Sequence, residues 1–330
     1  MVDLSNRGLG GLHLATMTVA LLFMMSPAIL WASPNGFSPQ RAGFSVKFKD
    51  EVSPYRVTGI FVLPSETLTL EVTDGTEKGP YILEANAGRT EQTAPNRWTW
   101  QSPGEVGLCF AKIICPTSAQ WMALNIFVMV PYNRLKGEWL NGYRIGRYPT
   151  VPLKQLSIYR PPKGFIEVTT DNENVLVTPH FKIKQFLCKQ DGTYPKYLVL
   201  RERLLFKLEF LLEKVNEEGL RCSTFYIMSG YRTPYYNQLI GNVQYSRHLW
   251  GGAADIFIDE DPEDKTMDDL NRDGKTDLQD ATVLYDIVDK MYGESFWACF
   301  VGGLGRYKET QNHGPFVHVD VRGFCARWGE

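Results

Sequence analysis

Two different hydrophobic periods divide the chain. From Phe44 to about Val130, apolar and polar residues alternate in short runs: Tyr55–Val62, Thr67–Val72, Trp98–Trp100 and Ala123–Val130. Residues two apart share one face of a strand, and Gly, Pro and Asn separate these runs at the spacing of an all-β sandwich. The pattern predicts a β-sandwich-like domain over residues 40–130. Its aromatics are read as core rather than as a glycan platform, and nothing in it has catalytic spacing. Further on, the period lengthens. Leu200, Leu204, Leu208, Leu211, Leu212 and Val215 make one helical stripe, predicting a helix from about Tyr197 to Glu218 with Gly219 as its stop signal. Cys222–Met228 and Ala254–Ile258 read as strands, and Pro234–Ile240 as a short helix. Between the two regimes, residues 131–176 are rich in Pro, Gly, Tyr and Arg. So many aromatics argue for an ordered connector rather than a flexible linker.

Composition and charge narrow the function. The 330 residues are 44% hydrophobic and 22% charged, enough for two globular domains. A formal net charge of -2 argues against a nucleic-acid binder, which needs a basic field. At the start, Arg7 precedes an uncharged run from Gly8 to Ala32. Residues 1–33 read as a secretory signal or an N-terminal anchor, since the run over 8–32 is also long enough to span a bilayer. Bulky Leu30 and Trp31 sit where a cleavage site prefers small residues. Either way, the remainder is expected to be exported. Six cysteines in an exported chain make disulfides an expectation, with Cys109 and Cys115 as a candidate pair closing a short loop. No Cys-x-x-Cys occurs, which argues against a thiolate zinc site.

The candidate chemistry centres on Ser246-Arg-His248-Leu-Trp-Gly-Gly-Ala-Ala-Asp255. A neutral imidazole and a carboxylate are both good zinc ligands, and a catalytic zinc site takes three protein ligands plus an open position. With five His in the chain, the run His313-Gly-Pro-Phe-Val-His318-Val-Asp320 offers the third ligand. Upstream stand Ser229-Gly-Tyr231-Arg232-Thr-Pro234 with Asn237, and Pro179-His-Phe181 through Phe186-Leu-Cys188. Taken in this order, the four blocks resemble the zinc D-alanyl-D-alanine carboxypeptidases and murein endopeptidases, a group that shares its fold with the hedgehog signalling domain. The resemblance covers about residues 177–323. It implies an α+β zinc peptidase domain over 177–330, with a small antiparallel sheet and flanking helices, so the whole chain is expected to be α+β.

Residue by residue, the resemblance implies His248, Asp255 and His318 as zinc ligands. Arg232 would clamp a substrate carboxylate or carbonyl, and Ser246 would hydrogen-bond substrate, with Tyr231 and Asn237 among the substrate-binding residues. Many members place an acid three residues before the last ligand as general base; here that position is Pro315. His313 would then stabilise an oxyanion or shuttle a proton. Asp320 is either the base or a carboxylate that orients a ligand histidine.

A second metal pattern lies inside an acidic insertion at residues 260–280. Asp269, Asn271, Asp273, Asp277 and Asp280 occupy loop positions 1, 3, 5, 9 and 12 of an EF-hand, with Gly274 at the sixth and the carbonyl of Lys275 at the seventh. The terminal Asp, in place of the usual Glu, is similar to the calcium loops of dockerins. A structural calcium ion is therefore expected here beside the zinc. Together these features predict an exported, periplasmic or envelope-located zinc peptidase whose partners are peptidoglycan peptides. The alternatives are an inactive peptidoglycan binder or a calcium-stabilised interaction protein.

Overall fold

Strand alternation builds the first half. The computed structural model describes residues 36–75 and 79–329; the expected signal or anchor over residues 1–33 lies outside them. Arg41–Phe48 buries Ala42, Phe44, Val46 and Phe48 in strict alternation. It pairs antiparallel with Glu51–Tyr55 on one side and Thr67–Gly75 on the other. Arg97–Gln101 and Arg89–Ala94 extend this to a five-stranded antiparallel sheet. A second sheet runs Val57–Val62, Gln120–Val128, Gly107–Cys115, Ile82–Ala85. Its first pair is parallel and the others antiparallel. Apolar residues of both sheets join one buried cluster.

Three details depart from the sequence pattern. The run Tyr55–Val62 is not one strand: Glu51–Tyr55 and Val57–Val62 belong to different sheets, and Arg56 marks the crossing. The helix expected from Tyr197 starts later, at Glu202, and runs to Glu217 (α1). Lys196–Leu198 is instead a strand that pairs with Gly164–Val168. Cys109 and Cys115 do not pair with each other. They sit six residues apart on the inward face of one strand, roughly 20 Å at ~3.3 Å per residue, against a Cα separation of about 4.4–6.8 Å in a disulfide.

Residues 131–168 are ordered by a second apolar cluster that includes Leu140, Tyr143, Ile145, Tyr148, Tyr159 and Phe165, together with Leu249 and Trp250 beside the candidate site. The last half carries a five-stranded sheet in the order Tyr226–Ser229, Ala253–Phe257, Phe316–Asp320, Gly303–Tyr307, Ala326–Trp328. All its pairs are antiparallel except the last. Leu278–Lys290 (α3) packs against this sheet, and Pro234–Leu239 (α2) follows its first strand in the chain. The architecture is thus mixed α+β, with few helices. No helix among the described residues is long and apolar enough to cross a membrane.

Helix α1 joins the halves. All six residues of the expected apolar stripe are buried, and so are Leu205, Phe206, Lys207, Glu209, Glu213 and Asn216. Polar residues buried along a helix must find their partners inside the protein. Glu213 accepts from Arg41 at 2.6 Å and from the Tyr55 hydroxyl at 2.8 Å, and Glu209 accepts from the backbone N–H of His180 and pairs with its ring. Lys207 donates to the carbonyls of Asp320 and Phe300, while burial pushes its pKa down to about 7. The Phe206 ring lies 6.2 Å from Phe48 and 6.4 Å from Tyr55, across the junction. Phe206→Ala is expected to destabilise the protein by about 3–5 kcal/mol. Tryptophan fluorescence and far-UV circular dichroism should still report one coincident unfolding transition in denaturant; separate transitions would contradict this coupling.

Candidate metal centre

Sheet register brings distant residues onto one row. Ser229 pairs with Asp255, Asp255 with His318, His318 with Gly305 and Gly305 with Trp328. The second histidine comes from outside the sheet. Arg247–Trp250 forms a single 3-10 turn closed by Gly251 in the left-handed region, φ +61°. A Cβ at Gly251 would lie 2.1 Å from the Val199 carbonyl oxygen, so only glycine fits there. This turn delivers His248 to Asp255.

His248, Asp255 and His318 are all buried, and one ligand atom from each lies within 4.8 Å of the others. His248 Nε2 is 3.3 Å and His318 Nδ1 2.7 Å from Asp255 Oδ1. The opposite ring nitrogens are committed elsewhere. His248 Nδ1 faces the Gly230 carbonyl at 2.6 Å, and His318 Nε2 faces Asp320 Oδ2 at 3.1 Å. These outer partners only accept, so a ring proton on each outer nitrogen satisfies them and leaves the inner nitrogens as lone pairs. In the neutral rings, two imidazole lone pairs then point at a carboxylate lone pair. A cation among the three atoms resolves this conflict; without one, an imidazole must take a second proton. The donor set of two nitrogens and one carboxylate oxygen fits zinc, and each outer contact is of the kind that orients a metal-ligating histidine.

Electrostatics agree with this arrangement. Burial opposes ionisation of Asp255, but His248 and His318 hold its carboxyl well below the ordinary range. Burial lowers the pKa of His248. For His318 burial also works against protonation, yet the hydrogen bonds to Asp255 and Asp320 outweigh it and raise the pKa. Asp320 is likewise depressed against its burial, by His318 and Arg322. The Arg322 side chain grips both oxygens of Asp320, and the Gly303 N–H adds a third donor at 2.7 Å.

The other expected site residues divide. Arg232 and Ser246 line a cleft of about 330 Å³ over the centre. Arg232 donates Nη2 to Asp255 Oδ2 at 2.5 Å and Nε to Ser229 Oγ at 2.8 Å, so it holds a ligand rather than standing free. Asp320 is fully buried behind His318, in an orienting position. His313 does not line the cleft; its Nδ1 faces the Gly314 carbonyl. Tyr231 is buried against Tyr148, and Asn237 supports the carbonyls of Asn242 and Val243, so neither faces the cleft. Arg247, Tyr307, Phe316, Arg322 and Trp328 line it without having been singled out from sequence. The one local signal was Gly303-Leu-Gly305, because glycines inside a strand mark a close approach. A Cβ at Gly305 would meet the Trp328 indole at 2.4 Å.

Residues 269–280 are arranged differently. Asp269 accepts from the N–H groups of Asp273 and Gly274, Asp273 from that of Lys275, and Asp277 from that of Gln279. Asp280, fully buried, accepts from Leu270, Asn271 and Asp277. Among the described residues, the one group of three or more acids, histidines or cysteines with converging ligand atoms is that of His248, Asp255 and His318. The calcium expectation for Asp269, Asn271, Asp273, Lys275, Asp277 and Asp280 is therefore not supported. Asp280 works as a cap for α3 and its incoming loop.

Residues 180–281 match the protein family described as Peptidase M15. The match spans less than half of the chain and includes His248 and Asp255 but not His318. No curated protein matches the chain. Peptidase M15 members are zinc-dependent, and the matched segment with the His-Asp-His group supports a zinc metallopeptidase.

Two outcomes follow from these contacts. Asp320→Asn should weaken zinc binding by about 10–100-fold, read by competition with a chromogenic chelator; unchanged affinity would separate Asp320 from the centre. Asp280→Ala should destabilise the protein by about 2–4 kcal/mol, because three backbone donors lose their acceptor. That loss should be equal in calcium and in a calcium-selective chelator. A loss seen in calcium alone would restore the ion to this loop.

Proposed function

We propose that this chain is an exported zinc metallopeptidase acting on the stem peptides or cross-links of peptidoglycan, as a D,D-carboxypeptidase or murein endopeptidase. The observation that carries the reading is the convergence of three lone-pair atoms from His248, Asp255 and His318 at the floor of an open cleft. Zinc bound there supplies a Lewis acid for the scissile carbonyl and lowers the pKa of a water. Around it, Arg232 fixes the orientation of Asp255. Burial raises the pKa of Tyr307, and its oxygen already accepts from Trp328 Nε1, so its own proton is free to be donated towards the cleft. Ser246 lies on the cleft wall beside His248, placed to hydrogen-bond a peptide backbone.

Export to the periplasm or envelope is supported by Arg7 and the uncharged segment that follows it, which would act as a signal or an anchor. The sandwich-like first half is read as an accessory module without a ligand for the metal.

One observation favours a second reading, an inactive peptidoglycan binder. Asp255 is the sole carboxylate among the residues lining the cleft, and Pro315 stands where many relatives carry the base. Digestion of purified sacculi separates the two. The zinc-loaded protein should shorten stem peptides or split cross-linked dimers in the muropeptide profile, and His248→Ala should match zinc-stripped protein. Sacculi bound but left with an unchanged profile would establish the binder.

A further inference from the structure

A second pocket, of about 290 Å³, opens where the connector meets the start of α2. It shares no lining residue with the cleft over His248, Asp255 and His318. One wall is a two-residue hairpin. Trp139–Leu140 pairs with Tyr143–Arg144, and Asn141 and Gly142 turn the chain at φ +48° and +83°, the sign that a type I′ turn requires at both positions. Strand alternation buries Leu140 and Tyr143 and leaves Trp139 and Arg144 as an outward pair. Trp139 is 50% exposed, although the Arg144 guanidinium lies over its ring at 5.6 Å from the centre. The same guanidinium is 4.1 Å from the centre of the Tyr235 ring and pairs with Glu138 at 2.8 Å. Arg144 thus fixes both rings. Gln190 ties the hairpin to α2, donating to the Arg144 carbonyl at 3.0 Å and accepting from Thr233 at the N-cap of that helix.

Polar groups share the pocket with these rings. Asp191 and Thr193 line it, and neither side chain has a hydrogen bond or ion pair among the described residues. Asn141 donates its amide to the Tyr197 hydroxyl at 2.8 Å, which leaves its carbonyl oxygen as an acceptor. In the same wall the buried Tyr143 hydroxyl has no partner. This set decides between ligand classes. An anion would meet the unpaired carboxylate of Asp191, while Arg144 already has Glu138. A cation would meet Arg144, which holds the position over both rings. A purely apolar group would strand the acceptors. What fits is a neutral ring with a C–H face and a rim of hydroxyls, the pyranose of a saccharide. Its C–H face stacks on the negative face of an indole, and its hydroxyls donate to carboxylate and amide oxygens. We propose that this pocket is a binding site for a neutral glycan, with Trp139 as the stacking platform and Asp191 as the hydroxyl acceptor. Trp139, Asn141 and Arg144 precede the segment that matches Peptidase M15, so the platform belongs to the connector. The proposal does not rest on the peptidase reading, because no residue of the cleft takes part. Chains of N-acetylated amino sugars and of plain glucose units both present this ring and its hydroxyls.

The test uses the full chain with chitotetraose, cellotetraose and sorbitol, the last of which offers hydroxyls without a ring. Binding is read by titration calorimetry, and contact by saturation-transfer difference NMR. At least one tetrasaccharide should bind saturably, with transfer strongest at its ring C–H protons, and sorbitol should not bind. Which tetrasaccharide binds identifies the source. Trp139→Ala should weaken binding roughly tenfold, as loss of a stacking face implies, and Trp139→Tyr should retain part of it. Asp191→Ala should weaken binding as well. Zinc affinity equal to wild type shows that each variant is folded. Zinc-stripped protein and His248→Ala should bind the sugar as wild type does. Failure of wild type to bind either tetrasaccharide, or binding that survives Trp139→Ala, overturns the proposal; the wild-type result holds even if a variant misfolds. Binding lost with His248→Ala would also overturn it, by placing the sugar in the cleft. Cleavage of muropeptides without tetrasaccharide binding would leave the peptidase reading standing alone. Trp139-dependent binding without cleavage would do the reverse.

Discussion

Asp255 is a carboxylate taken almost entirely out of water, and the candidate centre depends on what surrounds it. An ionised carboxyl is tolerated in such a place when paired and hydrogen-bonded. One oxygen receives the Arg232 guanidinium, and the other faces both imidazoles. Removing any of these partners strands a buried charge. The sheet makes the arrangement rigid, since Asp255 and His318 are directly paired residues on neighbouring strands. His248 is locked separately, by Gly251 and the Gly230 carbonyl. Proton and metal compete for the same space. With the outer nitrogens holding their protons, the inner lone pairs accept either a cation or a further proton, and the raised pKa of His318 is the protonic version of the same conflict.

The second constraint is α1, most of whose side chains are buried. Its apolar stripe supplies burial, but its polar residues set which elements lie against it. Glu213 reaches Arg41 and Tyr55 of the first sheet, Glu209 reaches His180, and Lys207 reaches the end of the strand that carries His318. Buried pairs of this kind contribute little net stability over apolar packing, yet each is costly to break singly. The result is a link between the first half, which provides no ligand to the centre, and the strand that does.

How far these features were legible depended on how local their causes are. The grouping of His248 with Asp255 was legible because the motif around them is a continuous turn and strand, with the glycine its geometry demands. Strand alternation was legible in Arg97–Gln101 and Gln120–Val128. The break at Arg56 was not, since the run on either side of it stays rich in β-branched and aromatic residues. The late start of α1 follows from pairing between Lys196–Leu198 and Gly164–Val168, a contact between segments far apart in sequence that overrides helical periodicity. Trp328, Tyr307 and Arg322 reach the cleft through sheet register, which no local pattern encodes. Tyr231 and Asn237 sit within the motif, but they build the turn and loop beneath the cleft rather than its wall.

The two acidic patterns show why ligand-like spacing alone does not define a metal site. In residues 269–280, loop geometry turns backbone N–H groups towards the acids, and every carboxylate described there accepts at least one such bond. Asp280 accepts three backbone N–H bonds shared between its two oxygens, which stabilise its carboxylate in a buried environment. The spacing that places oxygens around calcium also places them to cap turns and a helix start. At His248, Asp255 and His318 the balance runs the other way. The available ring protons are spent outward on Gly230 and Asp320, and Arg232 covers one carboxylate oxygen, leaving acceptors to meet at the centre. Convergence of uncompensated acceptors, rather than abundance of acids, distinguishes the site that calls for a cation.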